Sequence, residues 1–174
     1  MITLAVTLVL FFYLFSTFWI YLYRFYLLHQ WQNAEEQNLD ALVMGDRSVR
    51  EDSALYPCIS KNSEERPSRL RACYERATRN ATSGLALLSV IATTSPFIGL
   101  FGTVIGILQA FATFKDGVSL SIIAPAISEA LVATALGILS AIPAYTFHTL
   151  LKRKAYVITN LIRTQMEVRA ALGQ

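Results

Sequence analysis

Charge is absent from long stretches of this chain, and that absence constrains the fold more than any motif does. Residues 1–23 carry no charged side chain, and the first charge is Arg24. Residues 80–114 carry none and are bracketed by Arg79 and Lys115. Residues 117–151 carry one, Glu129, and end at Lys152. A membrane span needs about 20 predominantly apolar residues to cross a hydrocarbon core about 30 Å thick. All three stretches satisfy that. The last two are long enough as helix, at about 1.5 Å per residue, to cross a bilayer and continue beyond it. No Lys or Arg precedes the first run and no A-x-A pattern follows it, so it reads as a retained span and not as a cleaved leader.

The basic residues set the orientation. Segment 24–79 holds nine Lys/Arg, segment 152–174 holds five, and the short connection at 115–118 holds only Lys115. Three spans place the two basic segments on the same side, which the positive-inside rule makes cytoplasmic. The N-terminus is then periplasmic and the C-terminus cytoplasmic. Trp19, Tyr21, Tyr23, Tyr26 and Trp31 gather at the inner end of the first span, where an aromatic belt belongs. The net charge of +3 requires no nucleic-acid partner, because segment 24–79 balances its nine bases with nine acids. The lipid bilayer is the partner this pattern demands.

The expected class is therefore an all-α membrane protein with three transmembrane helices, the second and third extended into a cytoplasmic helical stalk. The divisions are a first transmembrane helix at 1–23, a cytoplasmic helical region at 24–79, a second transmembrane helix at 80–114, a short periplasmic loop at 115–118, a third transmembrane helix at 119–151 and a cytoplasmic helical tail at 152–174. The first helix meets no breaker until Gly45. Residues 45–66 are rich in Gly, Asp, Ser, Asn and Pro, which is turn chemistry. Pro67 suits the first turn of a new helix, and one helix is expected from there through the second span. Lys115-Asp116-Gly117 predicts a tight outer hairpin, and the third helix should start near Ser119 or Ser121.

Glu129 is the one ionisable residue inside a span. Such a residue is costly in hydrocarbon and generally marks an ion or proton path, or pairs with a neighbouring helix. Thr103 and Thr134 are hydroxyls in otherwise apolar spans. Each can simply bond its own helix backbone, or line a polar path beside Glu129. Small residues mark packing faces: Ser95, Gly99, Gly102 and Gly106 on the second span, and Ala126, Ala130, Thr134, Gly137 and Ala141 on the third. Small residues permit close backbone approach where lipid offers no hydrophobic drive. Pro96, Pro125 and Pro143 predict kinks or a hinge. Cys58 and Cys73 fall in the cytoplasmic segment and are expected as reduced thiols. Two cysteines without a paired histidine make no metal site. No phosphate-binding loop or nucleophile elbow occurs, so no catalytic residue and no cofactor is expected.

Residues 94–107 read TSPFIGLFGTVIGI, and residues 124–144 read APAISEALVATALGILSAIPA. These closely resemble the second and third spans of the ExbB/TolQ/MotA proton-channel family, in its ExbB and TolQ branch. The match covers about 55 residues, roughly 93–147. It departs where the family commonly has Trp (here Ile105) and Gly (here Ala126). The resemblance implies polar pore residues at Thr103, Glu129 and Thr134. It implies a homo-oligomer, a pentamer, around two copies of a single-span ExbD/TolR-like partner that carries an intramembrane Asp. It further implies a bacterial inner-membrane location and coupling of proton-motive force to a TonB-like protein or to the Tol–Pal system.

The reading is then a non-enzymatic subunit of a proton-driven motor that energises TonB-dependent outer-membrane transport. Its rivals are a TolQ-like envelope subunit, a non-conducting membrane scaffold in which Glu129 only pairs with a partner helix, and an independent small secondary transporter.

Overall fold

The computed structural model describes residues 2–46, 48, 50–59, 67–112 and 120–172. Among these the regular elements are all helical: α1 (Ile2–Val43), α2 (Tyr56–Ile59), α3 (Pro67–Thr82), α4 (Leu85–Ala112) and α5 (Leu120–Leu172). Three helical runs are long and apolar enough to cross a membrane, Leu4–Val43, Ser68–Ala112 and Ile127–Leu172. The chain is an all-α membrane protein.

The sequence punctuation works as expected at several points. α1 runs through its polar second half and stops just before Gly45, which takes a φ of +97°. Pro67 opens α3, where its missing N–H leaves no intrahelical bond unmade. α5 starts at Leu120 and continues without interruption into the tail, with Pro125 and Pro143 inside it. The expected hairpin at Lys115-Asp116-Gly117 lies outside the described residues. One expectation is corrected. The run from Pro67 into the second span is not one regular helix but two, separated at Ser83–Gly84. Gly84 adopts a φ of +80°, which ends α3 in the left-handed region that a Cβ disfavours. The freed carbonyls at this end are satisfied locally. Ser83 donates its hydroxyl to Asn80 O at 2.9 Å, and Arg24 donates to Asn80 O and Ala81 O at 2.8 and 2.9 Å.

The chain forms two compact units. The first comprises Met1–Tyr21 and Ala86–His148. Its contacts are made by small side chains. Along α5 the buried positions are Ala130, Ala133, Gly137, Ser140 and Ala144, and along α4 they include Ser95, Gly99, Gly102, Thr103 and Gly106. α1 contributes Val6 and Leu10, which pack with Ala133. Ser140 turns its hydroxyl to Leu136 O within its own helix at 2.8 Å and toward Leu10 O at 3.4 Å. Phe147 stacks on Tyr21 with ring centroids 3.9 Å apart and meets Phe18 edge-on. The large apolar side chains, Phe11, Phe12, Phe15, Phe97, Phe101, Leu131 and Ile142 among them, point outward. That inversion, small residues inside and large ones outside, suits helices packing in hydrocarbon.

The second unit comprises Leu22–Leu85 and Thr149–Gln174. Here the buried residues follow a seven-residue rhythm. α1 buries Leu28, Glu35, Asn38 and Leu42, α3 buries Leu70, Cys73, Ala77 and Ala81, and α5 buries Leu151, Ala155, Ile158, Ile162, Gln165 and Arg169. Spacings of three, four and seven place these side chains along one seam of each helix, as in a coiled coil. Lys154 lies over the Phe25 ring at 3.9 Å from its centroid, an arrangement in which the ring face attracts the cation. After α1, Ser48 gives its backbone N–H to Asp46 Oδ1 at 2.9 Å. That bond, a further one from the Ser48 side chain and the Arg169 charge hold the Asp46 carboxyl below its usual range.

The cysteines also differ from expectation. Cys58 on α2 and Cys73 on α3 are joined in a disulfide, with Cα atoms 6.5 Å apart. The reduced thiols expected from the compartment are replaced by a bond because α2 packs directly on α3.

Candidate functional site

Glu129, Thr103 and Thr134 all belong to the first unit, on α4 and α5. The register between these helices is read from their glycines. A Cβ built on Gly99 would lie 2.8 Å from Ala133 O and 3.0 Å from Thr134 Cα, and one on Gly137 would lie 2.7 Å from Ser95 O. A Cβ on Gly102 would meet the Ala133 Cβ at 2.9 Å and Val6 Cγ1 at 3.0 Å. The helices are antiparallel and touch backbone to backbone, and only glycine leaves room at those contacts. Gly106 and Ala130 are buried as well, Ala130 with 1% of its surface exposed. The small-residue faces at Gly99, Gly102 and Gly137 are therefore used inside one chain.

That register fixes the depth of the acid. Pairing Gly102 with Ala133, or Gly99 with Thr134, sets Glu129 level with residues 104–106 of α4. It lies one to three residues from Thr103, roughly 2–5 Å along the axis. The side chains differ in what surrounds them. Thr103 is buried, and its hydroxyl donates to Leu100 O at 2.6 Å. That bond uses its only donor and leaves lone pairs to accept. Thr134 is half-buried, and its Oγ1 is shut off from solvent without a hydrogen-bond partner among the described residues. A buried hydroxyl with no partner is costly, and this one keeps an unused hydrogen-bonding capacity. Glu129 is exposed, as are Ser128, Leu131 and Val132 around it.

An exposed carboxylate among exposed apolar side chains cannot remain against lipid at low cost. A charged residue at mid-bilayer costs about 2.5–3.5 kcal/mol even on the insertion scale. The chain buries its small-residue faces internally and leaves Glu129 outside that contact. Covering it requires water, a second copy or another protein.

A second acid was not singled out from the sequence. Glu35 on α1 is fully buried in the second unit. Its Oε1 accepts from Trp31 Nε1 at 3.0 Å and from the Ala54 backbone N–H at 2.7 Å. Its Oε2 accepts from Gln165 Nε2 at 2.9 Å and from Ser53 Oγ at 3.3 Å. Gln165 also donates to the Glu35 backbone O at 3.0 Å. With four bonds to its two oxygens, this carboxylate is committed to holding α1, α5 and residues 53–54 together. The signal available was its seam position, seven residues from both Leu28 and Leu42. No group of three or more metal-ligating side chains occurs among the described residues.

Helices of membrane length, with α4 and α5 packed through glycine, define a polytopic membrane protein. The sequence matches the MotA/TolQ/ExbB proton channel family over residues 46–164, and the chain belongs to that family. It is similar to a protein of Helicobacter pylori strain J99 whose name likens it to the biopolymer transport protein ExbB (ExbB-like 1). The two are 38% identical over 163 residues, 90% of this chain and 84% of the relative. It is 42% identical over 87 residues to the biopolymer transport protein ExbB of Pseudomonas putida, 49% of this chain and 26% of that protein. It is also 42% identical over 78 residues to the Tol-Pal system protein TolQ of Pseudomonas aeruginosa, 43% of this chain and 33% of that one.

Proposed function

We propose that this chain is the proton-channel subunit of a bacterial inner-membrane motor, and that it uses proton-motive force to energise TonB-dependent outer-membrane transport. The observation that carries this reading is the placement of Glu129. It is the only acid of the apolar runs, it sits at the depth of Thr103, and it faces out from a chain whose own helix contacts are already filled. In this reading several copies form a ring, a pentamer in keeping with the family resemblance. α4 and α5 of each copy face a central cavity that holds the spans of two copies of a single-span ExbD-like partner. Glu129 accepts and releases protons, and Thr103 and Thr134 offer hydroxyls for water beside it. The N-terminus is periplasmic, and segment 24–79 and the tail are cytoplasmic. The work is mechanical and not enzymatic. One charge crossing a 100 mV potential releases about 2.3 kcal/mol, so a large movement draws on several protons.

A second reading, a TolQ-type subunit of the Tol–Pal system, is favoured by the 42% identity to TolQ over 78 residues. The ExbB reading is preferred because the relative that covers 90% of this chain bears an ExbB-like name. The two share the same channel and differ in the partner.

The mass of the intact complex tests the reading. Isolated in mild detergent, the chain is expected as a closed homo-oligomer whose mass rises by whole copies of a small single-span protein when that partner is co-produced. A stable monomer that passes protons when reconstituted alone would overturn the motor and leave an independent transporter.

A further inference from the structure

The Cys58–Cys73 pair sits where the charge pattern and the bond disagree. This inference rests on the cytoplasmic placement of segment 24–79 in the reading above. The cytoplasm keeps thiols reduced, and disulfides found there in most organisms are transient, catalytic or redox-sensing. Yet the fold brings the two cysteines into bonding contact, with Cα atoms 6.5 Å apart, inside the range a disulfide spans without backbone movement. The surroundings are asymmetric. Cys73 is buried in the α3 seam at 8% exposure, whereas Cys58 on the single turn α2 is partly exposed. The residues just before Cys58 are anchored firmly. Glu35 holds Ser53 and Ala54, and Leu55 is fully buried. The C-terminal end of α3 is held by Arg24. The bond therefore ties the middle of α3 to a segment that α1 already holds.

We propose that Cys58 and Cys73 form a reversible thiol–disulfide modification site, whose co-reactants are low-molecular-weight thiols and disulfides of the glutathione class. The Cys58 thiolate attacks one sulfur of the small disulfide, forms a mixed disulfide and expels one small thiolate. The Cys73 thiolate then attacks the Cys58 sulfur, closing the intrachain bond and expelling the second. The two protein thiols lose two electrons, the small disulfide gains them, and the two protons from the cysteines end on the two released small thiols. Excess small thiol reverses both steps. Cys58 is the attacking residue because it is the accessible one. Oxidation fastens α3, which leads through Ser83–Gly84 into the span that carries Thr103; reduction frees its N-terminal half.

The test uses the full chain in its isolated complex, equilibrated at graded ratios of reduced to oxidised glutathione. Free thiols are alkylated and counted by mass, and amide hydrogen exchange is followed in Pro67–Thr82. The two thiols are expected to vanish and reappear together, with the midpoint inside the range of ratios found in cytoplasm. Exchange at the start of α3 is expected to be about tenfold faster in the reduced protein, because the cross-link no longer restrains opening. Cys58→Ser should match the reduced protein and ignore the ratio. A bond that stays intact throughout, a bond that never forms, or exchange that is equal in both states overturns the proposal. The side of the membrane is read separately with an impermeant thiol reagent in intact cells whose disulfides have first been reduced by a membrane-permeant reductant. A cysteine placed at Gly117 should be labelled from outside, and the native pair should not. Labelling of the native pair from outside would overturn the orientation together with the proposal. Failure to cycle while the pair stays protected would overturn the proposal alone.

Discussion

Glu35→Ala is expected to loosen the second unit more than any other single truncation there. The side chain is fully buried, and its two oxygens accept from Trp31, Ala54, Ser53 and Gln165. Alanine removes all four bonds at once and leaves their donors unpaired, those of Ser53 and Gln165 at buried positions. Each such donor costs about 1–3 kcal/mol. The bonds are unequal, and 3.3 Å from Ser53 is the weakest, so a total loss of about 3 kcal/mol is a conservative figure. In a thermal melt of the detergent-solubilised protein this corresponds to a fall of roughly 10 °C. Protease cleavage near residues 50–59 should rise with it, since Ser53 and Ala54 lose their anchor. Asn38 gives an internal comparison. It donates to Ala34 O at 2.8 Å and to Asp52 at 3.2 Å, so Asn38→Ala should cost a fraction of the Glu35 effect. A melt unchanged by Glu35→Ala would mean that this buried network does not hold the unit together.

Gly137→Leu is expected to be equally severe in the first unit, for a steric reason. A Cβ at this position would stand 2.7 Å from Ser95 O and 3.1 Å from Gly99 Cα. Both are backbone atoms, so no side-chain rotation relieves the clash and the helices must separate. Overpacking typically costs 1–3 kcal/mol where side chains can adjust, and here they cannot. The neighbouring contacts of Gly99 with Ala133 and Thr134 open as well. The variant should reach the membrane at normal insertion levels but fail to yield folded complex, seen as loss of the homogeneous peak in size-exclusion chromatography. Leu139→Ala is the control. Leu139 is exposed on the same helix, and its truncation should leave the peak in place. The outcome would separate intrachain packing from the subunit interface, because Gly137 acts within the chain.

What the sequence revealed and what it hid divide along physical lines. Long charge-free runs, Pro67 and Gly45 act locally, so the three apolar helices, the start of α3 and the end of α1 could be read directly. Gly84 also acts locally, and Asn80, Thr82 and Ser83 beside it are turn formers, but the apolar run that starts at Leu85 masks the break. Glu35 was missed because what makes it special is Gln165, 130 residues away. A single sequence shows neither partner as more than a polar residue on a helix. The disulfide was misjudged for a related reason. Compartment and charge argued for thiols, while the bond follows from α2 folding onto α3. Glu129 stood out because an acid in an apolar run is conspicuous without any partner. Its exposure, and the backbone contact at Gly99 and Gly137 that leaves it outside, required the fold.

The proton-path role of Glu129 is tested most directly by energised transport in cells that carry Glu129→Gln as their only copy. Glutamine keeps the size of the side chain and its capacity for hydrogen bonds but cannot take up or release a proton. Because Glu129 is exposed on the chain and outside the glycine contacts, the variant should insert, assemble and bind its partner at wild-type levels. Proton-driven uptake should nevertheless fall to the level of cells lacking the protein. Full uptake by Glu129→Gln at normal expression would contradict the account, because a path that does not need its only membrane acid does not run through it.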